Sequence, residues 1–569
     1  MKILGVSNTI DSGACLIIDG LLVSSVNEER FTREKSTRNF PIESIRYLLN
    51  KFKLTSSQID VIACSAWKGL GEINTLSQLT KDIIEISSQG TFAQKKILER
   101  IDSSLSSNNL NKLTLEKNLL ELGFESKNIL YVNHHEGHAL TSFIPSTFDN
   151  AIILVADGRG DFMSMSLWEA ERSSNSININ LIHQVSELKS LGAMYSFVTN
   201  TLGFTPHKHE GKITGLAASG EKTQFYEFLK SGIDFDSDRG EFLVHYGESY
   251  LPFISSLPEK IKAMASEHRP QDVAWAAQEL LESCLSKYLS YHLARVEKND
   301  VNLCLSGGVM ANVKSNMILS RLPQVKEIFV APSMGDGGSA LGGALKAMIL
   351  AGDSVRIDLK NSYLGPTYND DEIRRELEIN KIKYVCIDKE ELPLKIANLL
   401  QNSYIVGLFQ GSMEYGPRAL GNRSIIANPS ESSINDVLNK RLNRTEFMPF
   451  APATISELAD RCFIGWKSSH QSSRYMTTCY ECTDYFRQLC PATVHVDNTA
   501  RPQVVFKRDN PLYHSIIENF YKLTGIPAVI NTSFNHHEEP IVMSPSDAIK
   551  SFLKGNVDWL VIGSYIASR

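Results

Sequence analysis

Several features that would tie a protein to a special habitat are missing from this 569-residue sequence. No apolar run approaches the roughly 20 residues that a membrane-spanning helix needs, so no membrane partner is expected. The opening MKILGVS reads as a first strand rather than a signal peptide, which makes a cytoplasmic enzyme the expectation. The nine cysteines follow no spacing that would make a disulfide framework, and reduced thiols are expected. Positive charge is not in surplus: the net charge is −6 and the pI about 6.2, which sets aside a broad polyanion-binding face and hence nucleic acid as a partner. Local basic pockets remain open, and there is no low-complexity tail. What is present is ordinary globular composition, 42% hydrophobic and 21% charged, in a chain long enough for at least two domains.

The pattern is α/β. KILGVS, a polar turn (NTIDSG), ACLIID and LLVSSVNEERF read as strands joined by tight turns, and AIILVADGRGDFMSMSLW, about 150 residues later, repeats strand, Asp-Gly turn, strand. Such a repeat suggests a duplicated fold of the actin-like and sugar-kinase-like ATPase kind. Residues 76–123 read as solvent-facing helices, and 271–297 as an amphipathic helix leading into VNLCLSGG. A composition break at 351–366 puts the domain boundary at 358/359, giving domains 1–358 and 359–569. Cys462, Cys479, Cys482 and Cys490 include a C-x-x-C, half of a zinc site, but YMTTCYECTDY reads as a strand that would send Cys479 and Cys482 to opposite faces.

Four kinds of motif carry chemistry. NHHEGHA places His134 and His138 four residues apart, one face of a helix and a standard geometry for two metal ligands; His135 and His138 are the alternative pair. Asp157 (ADGRGD) and Asp336 (SMGDGGSA) could complete a His₂Asp₂ sphere suited to Fe²⁺, Mn²⁺ or Zn²⁺ rather than Ca²⁺. LSGGVMAN offers Gly307, Gly308 and Asn312 at a strand–helix junction, and HKHEGKITGLAASG offers Lys212 as a phosphate contact. The loop GSMEYGPRALGNRSIIANP (411–429) follows the buried run YIVGLF with Arg418 and Arg423. NRTEFMPFAPA, HVDNTARPQVV and GIPAVINTSFNHHEEPIV add Arg444, Arg501, Asn531, Ser533 and Asn535, which could converge with Arg418 on one anionic ligand.

Together EERFTREK, HHEGHA, EGKITGLAASG, LSGGVMAN, GPRALGNRSI, RTEFMPFAP, HVDNTARPQ and NTSFN…EEPIV resemble the NodU/CmcH family of O-carbamoyltransferases, which includes the tobramycin-carbamoylating enzyme, along essentially the whole chain. The resemblance implies an N-terminal domain of the actin-like ATPase (ASKHA) fold and a YrdC-like C-terminal α/β domain. It implies that the C-terminal domain makes carbamoyl-adenylate from carbamoyl phosphate and ATP with Mg²⁺, and that the N-terminal domain passes the carbamoyl group to a hydroxyl of a small molecule, a sugar or a natural product of secondary metabolism such as an antibiotic.

Carried over residue by residue, His134, His138, Asp157 and Asp336 match the metal ligands, for Fe²⁺ or a similar ion. Lys212, Gly307, Gly308 and Asn312 match positions around the adenylate, and Arg418, Arg444, Arg501, Asn531 and Ser533 the carbamoyl phosphate and ATP site. Members typically read His-Asp-Ser in the first turn, where this sequence has Thr9-Ile10-Asp11-Ser12. Isoleucine therefore stands where a histidine would lie near the acceptor hydroxyl, and Asp11 becomes the nearest candidate base. The catalytic set is then Asp11, Lys212 and Arg418. A homodimer is left open. The rival readings are a tRNA-modifying carbamoyl- or threonylcarbamoyl-transferase and a nucleotide-switched scaffold.

Overall fold

The computed structural model describes residues 1–125, 128–173, 176–252, 259–352, 362–444 and 448–569. The chain divides into two compact units, Met1–Val23 with Arg38–Asp358, and Ser24–Thr37 with Leu359–Arg569. The junction expected at 358/359 lies outside the described residues. Segment 24–37, which carries EERFTREK, belongs to the second unit rather than to the N-terminal one.

Two five-stranded sheets share one topology, all their strands lying in the first unit except that Leu21–Asn27 runs on past Val23. The first runs Leu21–Asn27, Gly13–Ile18, Lys2–Ser7, Val61–Cys64, Ile129–Tyr131; the second runs Ile177–Ser186, Met163–Arg172, Asn150–Gly160, Val301–Ser306, Val325–Val330. In chain order each is third, second, first, fourth, fifth. Lys2–Ser7 and Asn150–Gly160 each pair antiparallel with the strand that follows and parallel with a later one. The first strand of each sheet is a nearly unbroken buried apolar run, as a strand covered on both faces must be.

Helix His134–Phe143 packs against the second sheet and helix Ser339–Leu350 against the first, and the two helices pack on each other. Their approach depends on glycine: a Cβ on Gly342 would stand 2.5 Å from the Gly137 carbonyl oxygen. The Glu136–Lys346 ion pair (2.5 Å) ties the same helices at the rim.

Two expectations need correction. The helix Pro270–Arg295 is not simply amphipathic, because Asp272, Ala276, Leu280 and Leu293 are buried as well as the stripe Val273, Ala277, Leu281 and Leu285, so burial extends around much of its girth. It is a central core helix. The strand reading of LLVSSVNEERF also ends early: the strand stops at Asn27 and a short helix, Glu29–Thr32, follows.

The second unit is built on an eight-stranded mixed sheet, in order Val385–Cys386, Tyr565–Ser568, Trp559–Ile562, Val406–Phe409, Arg423–Ala427, Ala528–Ser533, Ala451–Ile455, Gln503–Val505. Two apolar cores serve it, one including Leu400, Phe486 and Phe520, the other Phe409, Phe534 and Phe552. Loop 410–422 leaves strand Val406–Phe409 and returns directly into the antiparallel strand Arg423–Ala427. YMTTCYECTDY forms a strand only at Tyr480–Glu481. Cys462, Cys482 and Cys490 are buried among apolar residues, as inert core thiols are.

Candidate functional site

Asn133 begins helix His134–Phe143 by accepting the Glu136 amide at 3.1 Å, so His134 and His138 fall one turn apart on one face. The two aspartates come from elsewhere. Asp157 sits where the register of strand Asn150–Gly160 against Met163–Arg172 breaks, between Ala156 and Gly160. The strand therefore continues to Gly160 and turns at Asp161–Phe162, both in the left-handed region, rather than at the expected Asp157–Gly158. Asp336 stands in the turn that starts helix Ser339–Leu350.

These four residues converge. His134 Nε2 lies 3.0 Å from His138 Nε2, 3.1 Å from Asp157 Oδ2 and 3.4 Å from Asp336 Oδ1; His138 Nε2 lies 3.7 and 3.4 Å from the same two oxygens. An ion bound tetrahedrally at about 2.0–2.1 Å sets its donors about 3.3–3.4 Å apart, so the donor set fits a small divalent transition ion. Among the described residues this is the one His/Cys/Asp/Glu group with that convergence.

The surroundings hold the donors in place. Asp157 Oδ1 accepts the amides of Gly158 (2.8 Å) and Gly308 (3.1 Å), which leaves Oδ2 for the histidines. Asp161 accepts the His134 amide at 3.0 Å. A Cβ at Gly160 would stand 1.9 Å from the His134 ring, so only glycine leaves that imidazole its place. His135 turns away to Ser166 Oγ and the Met163 carbonyl, and burial, followed by the neighbouring His134, pushes it down to about 3.

Burial works against every charge in this cluster, yet the mutual attraction wins. His134 is held well above its usual 6.5 and His138 above it by Asp336 and Asp157, while the histidines hold both aspartates below 3.8. In the metal-free protein the histidines' share of stability is full below pH 6.5 and is lost as pH rises through their raised values. The aspartates' share is present above 3.8 and lost as pH falls. A cation must displace the imidazole protons. The rise in melting temperature on adding Zn²⁺ or Mn²⁺ is therefore expected to grow as pH increases above 6.5. A calorimetric shift that does not depend on pH would show that the imidazoles are not donors.

The other expected N-terminal residues are differently placed. Gly307 (φ +94°) donates its amide to the Met334 carbonyl, and Gly308 binds Asp157, so the Gly-Gly turn adjoins the tetrad. Lys212 lies on helix Glu210–Ala217 with Nζ 5.6 Å above the Phe204 ring. Asn312 caps helix Val313–Ser320 and also donates to Gln278 Oε1, which Tyr195 shares. Tyr195 in turn meets Thr214 at 3.0 Å, linking the Asn312 turn to the Lys212 helix. Asp11 occupies the first turn with φ +56°.

In the second unit Glu414 organises loop 410–422. One carboxylate oxygen accepts the amides of Leu420, Asn422 and Arg423 at 2.8–2.9 Å. The two arginines of this loop have different tasks. Arg423 is fully buried 3.7 Å from the Phe409 ring centroid and donates to the carbonyls of Gln410, Gly411, Asn422 and Pro366, so it is a structural post. Arg418 is pushed down to about 9, first by burial and then by Arg501. Asn531 donates to Ala419 O and Gln503 Oε1, and Gln503 donates to Leu420 O, so the turns bearing Arg418, Arg501 and Asn531 are joined. Arg444 donates to Thr532 Oγ1 (2.7 Å), Ser533 Oγ (3.0 Å) and Asn535 Oδ1, which brings Arg444 and Ser533 together.

Sequence reasoning missed Glu414, Gln503 and Asp161. The carboxylates beside glycine-rich turns were a usable signal; Gln503 offered none.

Comparison with known proteins gives a consistent result. The family model described as carbamoyltransferase N-terminus matches residues 2–345, and that described as carbamoyltransferase C-terminus matches residues 397–569. The chain is similar to an uncharacterized protein of Synechocystis sp., 31% identical over 100% of this chain and 96% of the relative. It is also similar to an uncharacterized protein of Methanocaldococcus jannaschii, 31% identical over 100% and 99%. The nodulation protein NolNO of Sinorhizobium fredii is 31% identical over 98% of this chain and 79% of its own length.

Proposed function

This chain belongs to the carbamoyltransferase family, and from that premise we propose that it is an ATP-dependent O-carbamoyltransferase working in two half-reactions. In the first, carbamoyl phosphate, ATP and water give carbamoyl-adenylate, phosphate and pyrophosphate in the second unit. In the second, a hydroxyl oxygen of a small-molecule acceptor bonds to the carbamoyl carbon while the bond to AMP breaks. The acceptor class is a sugar or natural product, and the compartment the cytoplasm. The shared strand order of the two five-stranded sheets supports an actin-like ATPase (ASKHA) fold for residues 1–358, and the mixed eight-stranded sheet supports a YrdC-like domain for 359–569.

The observation that carries this reading is the joining, through Asn531 and Gln503, of the turns that bear Arg418 and Arg501. Two half-buried cations brought near each other disfavour one another, and Arg418 sits below an ordinary guanidinium. A ligand bearing several negative charges reverses that cost, and ATP with carbamoyl phosphate is such a set; Mg²⁺ arrives on the phosphates. Arg444 and Ser533 form the second grip and Asn531 a neutral donor. In the first unit His134, His138, Asp157 and Asp336 would hold Fe²⁺ or a similar ion, which supplies Lewis acidity toward the carbamoyl oxygen. The Gly307–Gly308 turn lets the adenylate approach closely, Lys212 meets its phosphate, Asn312 fixes the turn, and Asp11 takes the acceptor's proton.

Arg418→Ala tests the reading. One charge-assisted contact is worth roughly 1.5–3 kcal/mol, or about 10–150-fold in rate, so carbamoyl phosphate-dependent AMP and pyrophosphate release should fall by that factor in a folded protein. Near-normal pyrophosphate release would make the loop structural. A tRNA-modifying enzyme would instead bind and modify tRNA, and a nucleotide-switched scaffold would release no pyrophosphate.

A further inference from the structure

The turn that carries Asp157 also carries a side chain with no task in the scheme above. Arg159 lies two residues beyond one metal-site aspartate and two before Asp161, the residue that anchors His134. Its side chain is accessible to solvent, yet it is built in from beneath. Arg159 Nη1 donates to Ser104 Oγ at 3.2 Å; Ser104 Oγ donates to Glu187 Oε1 at 2.6 Å; and Arg100 Nη2 lies 3.1 Å from Glu187 Oε2. Ser104 and Glu187 are buried, with 4% and 1% of their surface exposed. The single carboxylate of this cluster is thus divided between Arg100 and a hydroxyl, and Arg159 receives only that hydroxyl. Among the described residues no carboxylate lies within ion-pair distance of Arg159.

Arg159 and Arg100 therefore converge on one buried hydroxyl–carboxylate pair whose carboxylate is already engaged, and among the described residues Ser104 is the one hydrogen-bond partner of Arg159. A divalent ion in the tetrad would balance Asp157 and Asp336, leaving the charge of the two guanidiniums in excess.

We propose that the hydroxyl acceptor carries an anionic group, a phosphate or a carboxylate, which Arg159 grips beside the metal tetrad with Arg100 supplying further positive charge. Arg159 is then the specificity-determining residue for the acceptor. This inference rests on the transfer reading above. A guanidinium fork matches either anion through two parallel N–H donors. The phosphate of the adenylate is the other source of the same chemistry, and the two are separable.

The experiment uses metal-loaded full-length protein and matched probes: glycerol with glycerol phosphate, and neutral hexoses with hexose phosphates and uronic acids. Carbamoyl transfer is followed by mass spectrometry and AMP release in the same assay. The expected result is that anionic members are carbamoylated in preference to their neutral partners. Arg159→Gln should lower kcat/KM for the anionic members about tenfold or more, chiefly through KM, while metal content and pyrophosphate release in the first half-reaction hold, and Arg159→Lys should keep part of the preference. Equal or better transfer to neutral members overturns the proposal. An equal loss on both members does too, because it means that Arg159 grips the adenylate. Absence of AMP release in the wild type strikes at the adenylate reading instead. Calorimetric binding of the same panel then decides about Arg159 without turnover: anion binding lost in Arg159→Gln supports the proposal, and anion binding unchanged in that variant overturns it.

Discussion

His138→Ala abolishes transfer of the carbamoyl group to any acceptor, while carbamoyl phosphate-dependent formation of carbamoyl-adenylate, read as pyrophosphate release, continues. His138 is fully buried, and its Nε2 lies within 3.0–3.7 Å of the other three donors. Its loss leaves three donors, two of them buried carboxylates facing a single imidazole. Ion affinity falls, and with it a Lewis-acid contribution of several kcal/mol, or about a thousandfold in rate. Metal analysis should find the ion missing from the purified variant, and pyrophosphate release should remain within a few-fold of wild type. Loss of both half-reactions in a protein that still melts cooperatively would mean that the two units do not divide the chemistry. Loss of metal without loss of transfer would leave the tetrad a structural site.

The second large effect is expected at Asp11. An alcohol attacking a carbamoyl-adenylate must give up its proton, and a positioned base contributes about 10²–10⁴-fold. Ile10 has no group for that task. Asp11 is held at φ +56°, a conformation that aspartate and asparagine tolerate better than most residues, so Asp11→Asn removes the carboxylate with little strain on the turn. Transfer should fall by about a hundredfold or more, with carbamoyl-adenylate formation and melting temperature unchanged; Ile10→His should be tolerated. Normal transfer by Asp11→Asn would assign the residue to the turn alone. His207 would then be the next base to test: it is exposed and lies in the field of Glu210, Asp157 and Asp336.

How far the sequence could be read depended on whether the signal was local. The four-residue spacing of His134 and His138 is a property of one helix turn, and that pair meets in the structure. Asp157 and Asp336 stood out only as aspartates in glycine-rich turns that could complete the sphere, and the sequence held no spacing that joins them to the histidines, because what brings them in is a break in strand register and the start of a distant helix. Arg418 and Arg423 looked equivalent within one loop. Their difference is the Phe409 ring and four carbonyls that surround Arg423, which come from the fold rather than from the motif. Arg159 looked like any surface arginine in a Gly-Asp turn, since Ser104 and Glu187 lie 55 and 28 residues away in opposite directions along the chain. The helix at 270–295 was identified but its setting misjudged, because alanine and leucine around most of its circumference mark a core position that periodicity alone does not register.

Segment 24–37 bears on how the molecule is made. Ser24 and Ser25 both donate to the Leu364 carbonyl, Arg30 to Gly416, and Arg33 to Pro540 and Ile541. These arginines leave the ribosome 386 residues ahead of Gly416 and 507 and 508 ahead of Pro540 and Ile541. The second unit therefore cannot finish folding as an independent piece of contiguous chain, and strip 24–37 must wait for its partners while the residues between them are made. A truncation that begins at residue 359 discards part of that unit, and a chimera between relatives must exchange the strip together with the C-terminal half.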